Sequence, residues 1–415
     1  MNKYDTQGDM CMLCLSFLLI CITTTYCVDQ AKKPWTILTY IAADNDLNPF
    51  AEPNIQQMMR VGSNEDRTIL VYLAETKNGK KYGKLLRVGK NQLVEIVCDD
   101  NVDSGSRQVC LNACMRAFTA YPADHYALIF WDHGSGCLNM PFADLFKGIA
   151  YDQGLDTYLS DIDVIEILRT IVHTTLGGKK IDLLGFDACL MAGVELQAVC
   201  SPYVDYYVAS EELENGTGWD YAAAFNNITR DGTPKDVAQA WVAAYGKVYG
   251  AIADERYTLS AVDLSEMHLL AANVDAIARN LITLLRGQEA RSVAAVLQQA
   301  TMPKLITCFD KPDAPDYIDL DHLYVNLLAQ LQAFPKNVAT QDILSETIRL
   351  LAAGREMIGN IVIANVVGKR RSHACGISVY WAQKMIHPSY SGLAWTSAYP
   401  CWQALLQMYL DAVNI

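Results

Sequence analysis

Five short runs of apolar, β-branched and aromatic residues place the tightest limits on how this chain can fold: Trp35 to Ala43 (WTILTYIAA), Thr68 to Ala74 (TILVYLA), His125 to Trp131 (HYALIFW), Ile181 to Phe186 (IDLLGF) and Tyr206 to Ser210 (YYVAS). Each has the length of a strand, and each is too apolar throughout to leave one face in water. Stretches of helical spacing separate them, among them Ser106 to Tyr121 and a segment through Ile171 that opens on the capping-box pair Ser160 and Asp163 and ends at Gly177 and Gly178. Strands alternating with helices build a mainly parallel sheet covered on both faces, a three-layer α/β/α sandwich. Half of the residues, 51%, are hydrophobic, enough to fill such a core.

The connections are less regular. Pro49 and Pro53 argue against an early helix after the polar DNDL loop of Asp44 to Leu47, so a helix is expected from about Asn54. Lys77 to Gly89, with Gly79 and Gly83, reads as a polar hairpin-like turn leading to a strand at Leu93 to Val97. Beyond residue 255 come a strand at Thr258 to Asp263, helical segments around 266–286, 289–300, 317–333 and 340–358, a strand-like GISVYW at Gly376 to Trp381, and a closing amphipathic helix from Trp402 to Val413. The division expected is an export segment over 1–27, a catalytic unit over 28–255, and a C-terminal subdomain over 256–415 that continues the fold as a helical elaboration.

Charge and targeting signals narrow the partners. With 33 Lys and Arg against 46 Asp and Glu the formal net charge is −13, which offers no basic footprint for a phosphate backbone, so nucleic acid is not an expected partner. Met10 to Thr25 is an apolar stretch of signal-peptide length, too short for a membrane span. Secretion is the first reading, and a lipid-anchored surface or periplasmic form, with Cys21 at the cleavage site, is the second. Four of the 13 cysteines fall in or beside that stretch, and the rest show neither disulfide-scaffold nor zinc-site spacing. Cys110 and Cys114 share a helix face as small buried hydrophobes. The seven His show no HExxH spacing, so no metal site is expected.

Two strand ends carry chemistry. In IFWDHGSG, His133 follows the strand directly, and Gly134 and Gly136 allow close backbone approach. In LLGFDACLMAGVEL, Cys189 follows a strand and precedes a helix. Ligands bind at the carboxyl ends of parallel strands, which brings the two loops to one sheet edge. A thiol attacks a carbonyl as its thiolate, and an imidazole can take that proton and later give it to the leaving amine. The helix after Cys189 would stabilise the thiolate, and the backbone N–H groups of Cys189 and Gly134 would form the oxyanion hole.

The WTILTYIAADNDL opening, the WDHGSG loop and the FDACLMAGVEL strand-turn-helix, in this order, resemble the clostripain family of cysteine peptidases, related in fold to caspases, gingipains and legumains. The resemblance covers most of residues 35–225, and GISVYW is similar to a late strand of the family. It implies a caspase-like fold, a His133–Cys189 dyad, cleavage after Arg or Lys, and maturation by self-cleavage. It assigns Asp187 to the pocket for the basic side chain, a role that fits a carboxylate placed two residues before the nucleophile; capping of the loop or helix is the alternative. SEELENGTGWDY adds Glu211, Glu212, Glu214 and Asp220, of which Glu212 and Asp220 are candidates for a second wall of that pocket. Between His133 and Arg169 the only basic residue is Lys147, so Lys147–Gly148 is the expected autoprocessing bond of a zymogen. The family's founding type needs calcium, but no loop of alternating acidic ligands occurs here, so no cofactor is indicated. The expected partners are peptides and proteins containing Arg or Lys. Two readings compete with the endopeptidase: an inactive surface protein that binds basic peptides through the same acids, and a transpeptidase using the same dyad.

Overall fold

The computed structural model describes residues 32–138, 148–252, 255–309, 316–335, 338 and 340–413. Residues 1–27, expected to direct export, and Lys147 lie outside the described residues. Among those described, no helix is long and apolar enough to cross a membrane.

In chain order the elements are β1 (Lys33–Ala42), α1 (Asn48–Val61), β2 (Arg67–Lys77), β3 (Lys80–Gly89), β4 (Gln92–Asp100), α2 (Arg107–Ala120), β5 (Ala123–Trp131), β6 (Ile149–Asp152), β7 (Thr157–Leu159), α3 (Asp161–Thr170), β8 (Ile181–Asp187), α4 (Val194–Cys200) and β9 (Val204–Ala209). They continue as α5 (Tyr221–Asn226), α6 (Pro234–Ala251), β10 (Thr258–Asp263), α7 (Met267–Leu285), α8 (Ala290–Ala300), β11 (Cys308–Phe309), β12 (Tyr317–Asp319), α9 (Leu320–Gln332), α10 (Gln341–Ile361), β13 (Val362–Val367), β14 (Ser378–Tyr380), α11 (Ala394–Ala398) and α12 (Pro400–Val413).

Nine strands form one sheet in the order β13-β10-β9-β8-β5-β1-β2-β3-β4. The five apolar runs are its parallel centre, β9-β8-β5-β1-β2, and antiparallel strands extend both flanks. Alternate side chains of β1 feed two cores. Leu38, Tyr40 and Ala42 pack with residues of α2, α3, α4 and α7, while Trp35, Ile37 and Ile41 pack with residues of α1, α5 and α6. This is the expected three-layer α/β/α sandwich, and α7 to α10 and α12 join the first of its cores as the C-terminal elaboration. A smaller sheet, β11-β12-β14, meets the main body through a bridge between Ser378 and Gly193.

Three local expectations are corrected. The helix after β1 begins at Asn48, six residues early, because Pro49 occupies the first turn, where its missing N–H has no intrahelical partner to lose. Lys77 to Gly89 is mostly strand. Its turn is the two residues Asn78 and Gly79, both at positive φ (54° and 72°), the conformation that matches a tight hairpin to the sheet's twist. The segment expected to be helical from 317 starts as β12, and its helix is capped by the Asp319 side chain, which accepts from His322 N.

Candidate active site

Three adjacent parallel strands deliver the reactive groups. In the register of the sheet Trp131 stands beside Ile41 on one side and Asp187 on the other, so the loops after β1, β5 and β8 leave the same edge side by side. His133 follows β5, and Cys189 follows β8. Gly134 is the point of closest approach, since a Cβ there would overlap the Cys189 carbonyl oxygen and lie 3.0 Å from its nitrogen. A side chain at 134 would push the two loops apart.

His133 Nε2 is 2.7 Å from Asp46 Oδ1. Burial holds the imidazole below its usual range while Asp46 pulls the other way. Asp46 lies in the DNDL loop, whose shape is set by its neighbour: Asn45 Nδ2 donates to Asp132 Oδ1 (2.7 Å) and Tyr151 O (2.9 Å), and Asn45 Oδ1 accepts from Leu47 N (2.9 Å).

The thiol sits on a strained turn. Leu190, directly after Cys189, has φ +65°, a left-handed conformation that a branched residue rarely adopts, and its N–H donates to Glu212 O at 3.2 Å. Cys189 Sγ accepts from Glu214 N at 3.2 Å. Burial, outweighing that donor, pushes the thiol up to about 12, so it carries its proton in this state. Residues 190–193 separate Cys189 from α4, so the donor on the sulfur is the Glu214 N–H and not the first turn of that helix.

Behind the two reactive groups opens a cavity of about 210 Å³, lined among others by His133, Cys189, Trp131, Asp187, Glu214 and Leu47. Asp187 accepts from Tyr221 Oη (2.7 Å) and Trp219 N (3.2 Å), and burial raises it to about 6. Glu214 shares a hydrogen bond with Asp187 and accepts from Trp219 Nε1 at 3.1 Å through Oε2; burial raises it well above the carboxylate range. Gly218 is required here, at φ +66° with a hypothetical Cβ 2.7 Å from Asp187 Oδ2. Two carboxyls therefore share one pocket with a thiol and an imidazole, suited to a nucleophile acting on a substrate that carries a cation.

Compared with known proteins, the chain matches the model of the clostripain family, Peptidase_C11, over residues 39–345. The chain belongs to the clostripain family. Clostripain of Hathewaya histolytica is 27% identical over an alignment of 224 positions that covers 48% of this chain and 42% of that protein, so the match spans less than half of the relative. A secreted C11 cysteine protease from Bacteroides thetaiotaomicron, solved with an irreversible peptide inhibitor, superposes with a TM-score of 0.64 at 23% identity, covering 88% of this chain and 99% of that one. An inactive zymogen C11 protease from Parabacteroides distasonis gives 0.61 at 18% identity, covering 89% and 99%. The fold is thus that of the clostripain-family structures.

Not every expected residue of this clostripain-family chain reaches the site. Asp220 caps α5 by accepting from Ala223 N at 2.9 Å and is not among the residues lining the cavity. Glu212 also lies off the lining and pairs with Arg371, whose Nε donates to it at 2.6 Å. The acid that joins Asp187 is Glu214, two residues further along. Of the expected autoprocessing bond only Gly148 is described, buried and at φ +46°. Asp46 is the partner that sequence reasoning missed; its only signal was a polar loop at the end of β1, where ligands of parallel sheets gather. Among the described residues no group of three or more His, Cys, Asp or Glu is placed to hold a metal ion.

Proposed function

We propose that this protein is an exported cysteine endopeptidase that cleaves after Arg or Lys and is made as a zymogen processed at Lys147–Gly148. The observation that carries the reading is the single cavity that joins His133 and Cys189 to the buried acids Asp187 and Glu214. A guanidinium or ammonium entering it meets carboxyls in a low-dielectric site, where a charge-assisted pair is strongest.

In the mechanism the thiol and the imidazole start neutral, since burial raises the first and lowers the second. Substrate binding brings the carbonyl carbon to Cys189 Sγ. As the S–C bond forms, the thiol proton passes to His133, and the carbonyl oxygen takes up the electron pair and is held by the N–H groups of Cys189 and Gly134. Asp46, on Nε2, orients the ring and stabilises the imidazolium. The C–N bond then breaks as His133 protonates the leaving amine. A water activated by the same imidazole hydrolyses the thioester and restores Cys189.

The test pairs fluorogenic peptides bearing Arg, Lys, Asp or Ala at P1 with intact-mass measurement of the wild type and Cys189→Ala after incubation. Hydrolysis of the basic peptides alone, with a split after Lys147 in the wild type only, is the expected result. No hydrolysis by protein already cut at Lys147 by an added protease would overturn the reading.

A pH profile checks the pocket separately. Asp187 is raised to about 6, so kcat/KM for basic substrates gains a rise through about pH 6 beyond the acid limb that the His133 imidazole gives every substrate, the alanine peptide included. Stability runs the opposite way. A carboxyl whose folded value exceeds its unfolded one contributes fully below the unfolded value of 3.8 and loses that contribution as pH rises through about 6. Equal profiles for Arg and Ala substrates would exclude Asp187 from recognition of the cation.

A further inference from the structure

The segment that walls the reactive cavity is tied to the C-terminal part of the chain by side chains that the chemistry does not use. Arg371, beyond β13, donates through Nε to Glu212 Oε2 at 2.6 Å, and a terminal nitrogen of the same guanidinium pairs with that carboxylate. The two side chains are only 15% and 4% exposed, and the guanidinium lies over the Phe309 ring, 5.8 Å from its centroid. One residue earlier, Glu211 Oε2 accepts from Gly376 N at 2.9 Å. The side chains of Glu211 and Glu212 thus reach away from the site, while the main chain around them reaches into it.

That main chain holds the nucleophile turn. Leu190 N donates to Glu212 O (3.2 Å), Ala192 N donates to Ser210 O (3.0 Å), and Glu214 N reaches the Cys189 sulfur (3.2 Å). The left-handed Leu190 is a conformation that persists only when its surroundings over-determine it. A buried ion pair is a weak source of stability compared with an apolar pair of similar volume, but the rigid fork of arginine fixes a carboxylate in one place.

We infer that Arg371 is a positioning residue: by fixing the Glu212 side chain it sets the carbonyl that holds Leu190, and through it the aim of the Cys189 thiol and the N–H placed on its sulfur. The inference rests on the proposed reading of Cys189 as the nucleophile.

The experiment compares full-length Arg371→Met, Glu212→Gln, their double variant and Arg371→Lys. Three quantities are read: the melting temperature, kcat and KM on an Arg peptide per titrated site, and the rate at which iodoacetamide alkylates Cys189, followed by mass spectrometry of that peptide because other cysteines are free. Arg371→Met leaves the buried Glu212 carboxylate without its guanidinium and melts early. The double variant removes both charges and regains the melting temperature, yet its kcat stays about 10-fold to 100-fold down, as expected for a misplaced reacting group. Its Cys189 alkylates about 3-fold or more slowly, because the sulfur loses its fixed donor. Arg371→Lys keeps the charge but not the fork, and recovers kcat only in part.

A double variant with wild-type melting, kcat and alkylation rate would reduce the pair to a structural contact and overturn the inference. If the double variant does not fold, Arg371→Lys decides by the same criterion. If the wild type hydrolyses no basic peptide, the peptidase reading fails by itself, and the alkylation rates alone settle whether Arg371 positions the thiol.

Discussion

Replacing Cys189 by Ala removes hydrolysis of basic peptides by about 10⁵-fold or more, the scale seen when the nucleophile of a covalent hydrolase is lost. Among the described residues lining the cavity Cys189 is the only one with a thiol or hydroxyl, so no neighbour can take over the attack. His133→Ala reaches nearly the same floor. The two losses do not add, because without the imidazole the raised thiol has no acceptor for its proton, and without the thiol the imidazole has nothing to activate. Both variants keep the fold: deleting one sulfur from a half-buried turn costs about 1 kcal/mol, within the range of ordinary point changes. Hydrolysis rates per milligram, with melting curves alongside, make the comparison. A Cys189→Ala protein that still cleaves would place the nucleophile elsewhere.

The second large effect is one of specificity. Asp187→Asn keeps the size of the side chain and its acceptor for Tyr221 and Trp219 N, but removes the charge that the cationic substrate would meet. Truncating one partner of a buried charge pair costs about 2 to 5 kcal/mol, so kcat/KM for Arg and Lys peptides falls by about 30-fold to several thousand-fold. The rate on the alanine peptide changes little. The step near pH 6 in the basic-substrate profile disappears with the carboxyl. Glu214, which shares a hydrogen bond with Asp187, keeps part of the preference in that variant. Undiminished selectivity for Arg over Ala would shift recognition to Glu214 alone.

The elements that sequence reasoning located well are those whose own residues hold the signal. The five central strands are apolar on both faces because both faces are covered, and the Ser160–Asp163 capping box forms as its spacing predicts, with Asp163 N donating to Ser160 Oγ at 3.2 Å. The misreadings arose where one residue type permits two outcomes. Pro49 is as compatible with the first turn of a helix as with a loop, and polar β3 becomes a strand because β2 and β4 pair with it on either side.

Within the site the division has the same physical origin. The sequence by itself determined where the candidate residues stand: a parallel sheet follows from continuous apolar runs, and His133, Cys189 and Asp187 lie within a few residues of the ends of two of those strands. Only the tertiary structure decided which other side chains complete the site. Asp46 comes from the loop after a neighbouring strand to meet His133. Glu214 rather than Glu212 or Asp220 enters the pocket, because Glu212 turns toward Arg371, some 160 residues away in sequence, and Asp220 is taken by a helix cap. Four carboxylates within one short loop are equivalent by composition. Their roles separate only when burial and the partner each one finds, often from a distant part of the chain, give every one a different environment.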